Sequence, residues 1–362
     1  MKYALIGCGR VAPCHIHAAR KNAMELVALC DLKEQAMQTL IQTQKITTSP
    51  RLYTDHRQLL QNEHPDLIAI ATQSGAHAEI ALDCIRAGIP VIIEKPIALS
   101  MQDARKIVAL SEELGVLVCA CHQNRFNIAI QQTRRALEAG RFGKLSHGSV
   151  TVRWNRQRDY YAQDDWRGTW AKDGGALMNQ CIHGLDLLRW MMGDALESVS
   201  GFTRRSQHPY IEAEDVGMAV LRFQNGAIAT LEGTTNLFDS AHESETLCLF
   251  GENGSVQIGG TNANRVDLWS FSQELPDDRS ARGLSEHALN VYGNGHDSLY
   301  ADVLDALCTG RAPYVDARAG ARALELVLAV YKSSLTGKPV SLPLEDFSSV
   351  DMSGFFDRPE KG

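Results

Sequence analysis

The segment Gly7-Cys8-Gly9-Arg10-Val11-Ala12 constrains this chain more than any other. It follows the apolar run from Tyr3 to Ile6 and opens a stretch of helical spacing, so the backbone must turn from a strand into a helix within a few residues. That context is what a dinucleotide-binding turn requires. Gly7 permits the tight turn, Gly9 lets backbone approach a pyrophosphate, and small Ala12 allows close helix-to-strand contact. Arg10 and Val11 lie at the helix N-terminus, whose amides and dipole favour an anion, and Pro13 fits a first helical turn because its missing N–H costs nothing there.

The rest of the first third repeats the pattern. Short apolar runs at Leu26 to Cys30, Leu67 to Ala71, Val91 to Ile93 and Leu117 to Ala120 alternate with helical stretches at Glu34 to Gln44, Ala76 to Ala87 and Met101 to Leu114. Strands that alternate with crossover helices build a parallel sheet covered on both faces. Asp31, at the end of the second strand and about 20 residues past the turn, is placed to bind ribose hydroxyls and to repel a 2′-phosphate, which favours NAD over NADP. Lys33 nearby works the other way, and capping the next helix is the alternative role for Asp31.

After Gln123 the texture changes. A helix from Ile128 to Ala139 leads to longer alternating runs at Val150 to Trp154, Val216 to Phe223, Ala227 to Glu232 and Glu245 to Phe250, the strands of a mostly antiparallel sheet with one covered face. Asn225-Gly226 marks a hairpin. Helices are expected at Gly175 to Met192, His296 to Leu307 and Ala317 to Leu335, and the tail beyond Pro343 is expected to wrap the surface. The reading is therefore α/β, with a Rossmann domain over residues 1–122 and a substrate-binding and oligomerisation α/β domain over 123–362. A chain of 362 residues suits two domains.

Composition narrows the function. A formal charge of -7 works against a polyanionic partner, and no apolar run approaches a membrane span or a signal peptide, which points to a cytoplasmic protein. The nine cysteines show no Cys-x-x-Cys pair and read as free thiols. No metal site is expected, because His15, His17, His77, His122, His183 and His296 lack ligand spacing.

Three groups carry candidate chemistry. Glu94-Lys95-Pro96 ends an apolar strand, where open parallel sheets bind ligands; Lys95 there can polarise a hydroxyl or relay a proton, or else be solvated beside a surface ion pair, with Pro96 fixing the turn through a cis bond. On the helix after Gly174-Gly175, Asn179 and His183 stand four apart on one face. His183 can take a hydroxyl proton as hydride leaves carbon, and packing is its alternative role. The stretch Arg153 to Tyr161 and Trp166 to Trp170 is dense in guanidinium and aromatic groups that suit anions and sugar rings, or a subunit contact; Arg158, Tyr160, Tyr161 and Arg167 are its candidates.

These residues together resemble the Gfo/Idh/MocA oxidoreductases over nearly the whole chain. The likeness runs through the glycine turn, Ala71-Thr72 with His77, Glu94-Lys95-Pro96, Asn124-Arg125-Phe126-Asn127, Gly174-Gly175 with His183 and Asp186, and Gly295-His296. It implies an NAD-dependent sugar dehydrogenase that works as a homodimer or homotetramer, with Lys95 and His183 catalytic. It adds Thr72, His77 and Glu94 to the cofactor residues, and Arg125 and Asn127 to the substrate residues. Many members carry aspartate where this chain has Asn179, which counts against an inositol or free-sugar dehydrogenase, and Gln73 stands where proline is common. The Tyr160-Tyr161, Trp166-Arg167-Gly168-Thr169-Trp170 and Met178-Asn179-Gln180 stretches are similar to the subgroup that oxidises C3 of a UDP-linked amino sugar acid. A catalytically silent NAD-binding regulator is the alternative from another class.

Overall fold

The structure, a computed structural model, describes residues 1–286 and 293–357. It divides into two compact units: Met1–Gln123 with Asn294–Ala321, and Asn124–Gly293 with Arg322–Gly362.

In the first unit the elements alternate in chain order: β1 (Lys2–Ile6), α1 (Ala12–Lys21), β2 (Glu25–Cys30), α2 (Glu34–Thr43), β3 (Arg51–Tyr53), α3 (His56–Asn62), β4 (Leu67–Ile70), α4 (His77–Arg86), β5 (Val91–Ile93), α5 (Met101–Leu114) and β6 (Val118–Ala120). The sheet order is β3-β2-β1-β4-β5-β6, and every pair is parallel. β4 and β5 are buried at every position, as strands covered on both faces must be. Strand order reverses at β1, whose neighbours are β2 and β4, and such a switch point opens a crevice at the carboxyl ends of the strands. Local caps set the helix ends: the Ser100 hydroxyl accepts the Asp103 N–H to start α5, and Gly115 in the left-handed region stops it.

The second unit carries α6 (Ile128–Glu138), β7 (Leu145–Arg153), α7 (Arg158–Tyr161), α8 (Ile182–Met192), β8 (Leu196–Arg204), β9 (Val216–Phe223), β10 (Ile228–Thr234), β11 (Ser244–Gly251), β12 (Gly254–Gly259), β13 (Arg265–Phe271) and α9 (Asp278–Ala281). Its sheet order is β13-β12-β11-β7-β10-β9-β8-β14, with β14 at Val340–Ser341. Only β10 and β7 pair in parallel among these neighbours. Asn225-Gly226 makes the expected turn, with Gly226 at φ +86° and the Asn225 side chain accepting the Ala227 N–H. α8 lies close against the sheet because glycines meet it: a Cβ on Gly148 would be 2.7 Å from the Met192 sulfur, and one on Gly184 2.9 Å from Val152. On the opposite face Phe202, Met218, Val220 and Ile228 are exposed.

The domain boundary of the sequence reading needs one change. Residues 294–321, assigned by sequence to the second domain, belong to the first unit. Here α10 (Gly295–Thr309) buries Leu299, Tyr300 and Val303, and its Tyr300 hydroxyl meets those of Tyr3 and His15 Nδ1 at 2.9 and 2.8 Å. The Ala120 N–H also donates to the Val315 carbonyl at 3.0 Å. α11 (Ala317–Thr336) then carries the chain on and stops before Gly337. The tail does not merely wrap the second unit: Leu344 and Met352 are buried, and the Ser349 hydroxyl donates to the Trp170 carbonyl at 2.6 Å. No helix among the described residues is long and apolar enough to cross a membrane.

Candidate active site

In the first unit the glycine turn has the geometry its chemistry demands. Gly7 has φ +98°, and a Cβ there would overlap the Ala71 carbonyl and sit 2.6 Å from the Thr72 nitrogen, so the turn is pressed against the end of β4. Gly9 is the opposite case, since a Cβ there would meet nothing within 4 Å. That open side is where backbone can approach a pyrophosphate, and Ala12, fully buried, begins α1 behind it. The Asp31 carboxylate accepts the Cys8 N–H and the Lys33 N–H, each at 2.8 Å. It thus ties the turn to the end of β2 and still has lone pairs for a ribose. These residues fit NAD, whose nicotinamide supplies the hydride acceptor.

His77 and Glu94, both expected at the cofactor, are each engaged by buried protein groups. His77 is buried, with Nδ1 2.8 Å from the Pro96 carbonyl and Nε2 3.1 Å from that of Thr72. It braces the loop after β4 against the loop after β5. Burial lowers its pKa against the pull of those carbonyls. Gln73, at the position where proline is common, caps the next turn by accepting the Gly75 N–H at 2.8 Å. Thr72 is half-buried, with its hydroxyl 3.3 Å from the Gln73 carbonyl.

Glu94 lies inside a buried polar chain. Tyr3 donates to Tyr300, Tyr300 donates to His15 Nδ1, and His15 Nε2 donates to Glu94 Oε1 at 3.1 Å, with His296 Nε2 at 3.6 Å from the same oxygen. Burial pushes the Glu94 carboxyl up, but His15 and His296 outweigh it and hold the group well below the usual range, while burial lowers the His15 pKa against the pull of Glu94. With Cys121 these residues bring four potential donor atoms within 4.8 Å, the one such grouping among the described residues. Four separate elements supply it, so linear spacing could not show it. Lys95 follows at a cis bond to Pro96, is half-buried, and its own N–H lies 3.2 Å from Glu94 Oε2. Charged Glu94 and a braced Pro96 therefore flank the lysine in sequence and fix its backbone.

In the second unit the sequence predicted one α-helix from Gly175 to Met192. The structure has a π-helix over Ala176–Cys181 that runs into α8. From 173 to 192 every residue is buried except Asn179, Gln180 and His183, which make the single open polar face of this segment. A π-turn widens the spiral, a distortion that recurs at functional sites. Asn179 donates its amide to Asp173, and its oxygen accepts from Gln180 at 2.9 Å. Gln180 also donates to the Tyr160 hydroxyl at 2.8 Å and accepts from Arg156 at 3.1 Å.

The guanidinium and aromatic candidates sort themselves around this face. Arg167 donates to the Tyr160 hydroxyl at 2.8 Å and stacks on Trp166 and Tyr160, with centroids at 4.4 and 4.5 Å. Arg156 stacks on Trp154 and pairs with Glu243 at 2.8 Å. Arg156 and Gln180 were not among the sequence candidates; their signal was only proximity to Asn179 and Tyr160. Arg158 is exposed, 5.7 Å from the Tyr210 ring. Tyr161, the other tyrosine of the expected substrate set, is buried with its hydroxyl 3.1 Å from that of Thr235.

Arg125 and Asn127, also expected at the substrate, are engaged by protein groups. The Arg125 fork is committed to Asp186 by two bonds of 2.7 and 2.6 Å, and its guanidinium lies over Trp190. Asn127 donates to the Asn262 carbonyl at 2.8 Å. Both pin the start of α6 inside the second unit, a structural use of the Asn124 to Asn127 motif.

Comparison with known proteins agrees with this geometry. Residues 1–122 match the model of an oxidoreductase family with an NAD-binding Rossmann fold, and residues 130–257 match a GFO/IDH/MocA C-terminal domain. The WlbA dehydrogenase from Bordetella pertussis, solved in complex with NADH and UDP-GlcNAcA, is 34% identical with a TM-score of 0.87, covering 95% of this chain and 98% of that one. A D-apiose dehydrogenase of Paraburkholderia graminis is 28% identical over 352 residues, 94% of this chain and 89% of its own length. A myo-inositol 2-dehydrogenase of Thermotoga maritima is 23% identical, covering 94% and 98%. The chain belongs to the Gfo/Idh/MocA family of oxidoreductases, NAD-dependent dehydrogenases that act on sugar and polyol hydroxyls.

Proposed function

We propose that this enzyme oxidises a ring hydroxyl of a nucleotide-linked sugar acid, at C3 of a UDP-amino sugar acid, with hydride passing to NAD. The observation that carries the reading is the open face of Asn179, Gln180 and His183, bordered in the same unit by Arg156, Tyr160 and Arg167. Amide, phenol and guanidinium groups suit a polyhydroxylated anion. Similarity to an enzyme solved with UDP-GlcNAcA at 34% identity supports the same substrate class. In this reading His183 accepts the hydroxyl proton, Lys95 stabilises the developing alkoxide charge, Gly9 admits the pyrophosphate, and Asp31 holds the ribose. Asn179 is tied to Asp173, which fixes its orientation beside the histidine. The exposed Phe202, Met218, Val220 and Ile228 suit a contact between copies of the chain, and nine free cysteines suit a reducing compartment.

The test is to incubate the protein with NAD and a panel of UDP-sugar acids, free sugars and inositols, with a 2-oxo acid added as hydride acceptor in parallel, and to follow reduced nicotinamide. Reduction with UDP-sugar acids is expected, and loss of it in Lys95→Ala and His183→Ala while NAD binding persists. Reduction with inositol but with no nucleotide sugar overturns the substrate class. Equal turnover in both variants overturns the assigned roles.

A further inference from the structure

The polar face of the second unit depends on a backbone that no ordinary α-helix supplies, so the source of that backbone matters. Gly175 precedes the π-helix and Ala176 and Leu177 begin it; two of their three amides bond Glu214 directly and the third reaches it through Tyr331. The Ala176 N–H donates to the Glu214 carbonyl at 2.9 Å, and the Leu177 N–H donates to Glu214 Oε1 at 2.8 Å. The Gly175 N–H reaches the Tyr331 hydroxyl at 3.4 Å, and that hydroxyl donates to the same Oε1 at 2.8 Å. Glu214 is fully buried, and a Cβ on Gly175 would overlap its carboxylate. Only glycine can stand there. Leu177 is wedged against two further glycines, since a Cβ on Gly217 or Gly233 would lie 2.6 Å from its side chain.

We infer that Glu214 is a positioning residue for the reaction: with Tyr331 it anchors the first turn of the π-helix and so sets the register at which Asn179, Gln180 and His183 face the substrate. The inference rests on the reading that those three residues serve the substrate. Glu214 itself touches none of the reacting groups.

The anchor also has a protonation state. Burial pushes the Glu214 carboxyl up to about 8, against the Leu177 and Tyr331 bonds that favour its charged form, and the neighbouring Asp215 raises it further. The titratable groups facing it are Tyr331 on α11, Asp215 on its own segment and Tyr161 on α7, and Asp173 before the π-helix acts on both tyrosines. The neutral acid therefore predominates at pH 7. Above pH 8 a buried charge appears there, and although its two bonds strengthen, the cost of burying it destabilises the anchored arrangement.

The experiment compares Glu214→Gln, Glu214→Ala and Tyr331→Phe in the full chain, by amide hydrogen exchange over residues 174–184, NAD affinity, and kcat/KM for the sugar across pH 6 to 9.5. Glu214→Ala is expected to speed exchange over that segment and to lower kcat/KM by about a hundredfold, the effect of displacing a catalytic group by about an ångström, with NAD affinity kept. Glu214→Gln, which mimics the neutral acid, should stay within a few-fold of the parent at pH 7 and lack the fall in kcat/KM expected of the parent near pH 8. If Glu214→Ala does not fold, Tyr331→Phe carries the exchange measurement, with a smaller gain expected. Parental exchange in the variants overturns the inference, and so does a Glu214→Gln variant as damaged as Glu214→Ala. Faster exchange together with full turnover by His183→Ala leaves the anchor standing and instead defeats the functional reading.

Discussion

Replacing Gly7 and Gly9 separately by alanine splits folding from cofactor binding. At Gly7 an alanine must hold φ near +98°, which costs about 1–3 kcal/mol by itself. Its methyl must also displace the backbone of Ala71 and Thr72, where 2.6 Å to the Thr72 nitrogen is well inside normal contact. Together about 3 kcal/mol or more of stability is lost, which lowers Tm by roughly 6–12 °C for a unit of this size. At Gly9 the methyl enters open space, so the protein without cofactor should melt within about 0.5 kcal/mol of the parent. The cost appears only when the pyrophosphate approaches. A tenfold or greater rise in the Kd for NAD, about 1.4 kcal/mol, is expected. Calorimetric melting with and without NAD reads both effects. At a concentration giving 100 times the parent Kd, NAD stabilises the parent by about 2.7 kcal/mol and Gly9→Ala by only about 1.4. Equal melting of the two variants without cofactor, or a Gly9→Ala variant with parental NAD affinity, refutes the reasoning.

Two further outcomes follow from buried charge in the second unit. Arg125→Met should destabilise that unit by about 3–5 kcal/mol, because it leaves the buried Asp186 carboxylate without its bidentate partner; the double variant with Asp186→Leu should recover much of the loss in thermal denaturation. Glu245 is fully buried, burial raises its pKa to about 8 against a single 3.3 Å bond from Asn124, and its Oε1 has no hydrogen-bond partner among the described residues. A folded-state pKa above the unfolded value gives stability that is complete below pH 4.5 and drains away as pH rises towards 8 and beyond. Glu245→Gln should accordingly melt higher than the parent at pH 8.5 and not at pH 5, and a gain of equal size at both would count against that account.

Local pattern made the first unit legible: buried apolar strands of three to six residues, glycines at turns and a serine cap each act within a few residues of themselves. The return of α10 was not legible, because its bond to His15 spans 285 residues and periodicity carries no information over that distance. The π-helix was hidden for a related reason. Leu, Met and Cys in Ala176–Cys181 have ordinary helical character, and the carboxylate that holds the Leu177 amide stands 37 residues on from it. Site residues were found by type, and their protein contacts were not legible. Arg125, His77, Glu94 and Tyr161 have the chemistry of ligand-binding groups, and each is also held by a buried protein partner. Lys95, Asn179 and His183 keep partial exposure, which only the packed structure could distinguish.

The divided make-up of the first unit bears on how the protein is born. A ribosome that has finished β6 has delivered the whole six-stranded sheet, yet Tyr3 and His15 lack Tyr300, and the surface that α10 covers is bare. At about 5–20 residues per second, roughly 10–40 s of synthesis separates the two events. Throughout that interval the nascent sheet is complete in hydrogen bonds and incomplete in its apolar cover. The first-made sheet is thus sealed only by a helix made long after it, and a chain cut short anywhere before α10 is a ready substrate for chaperones and proteases.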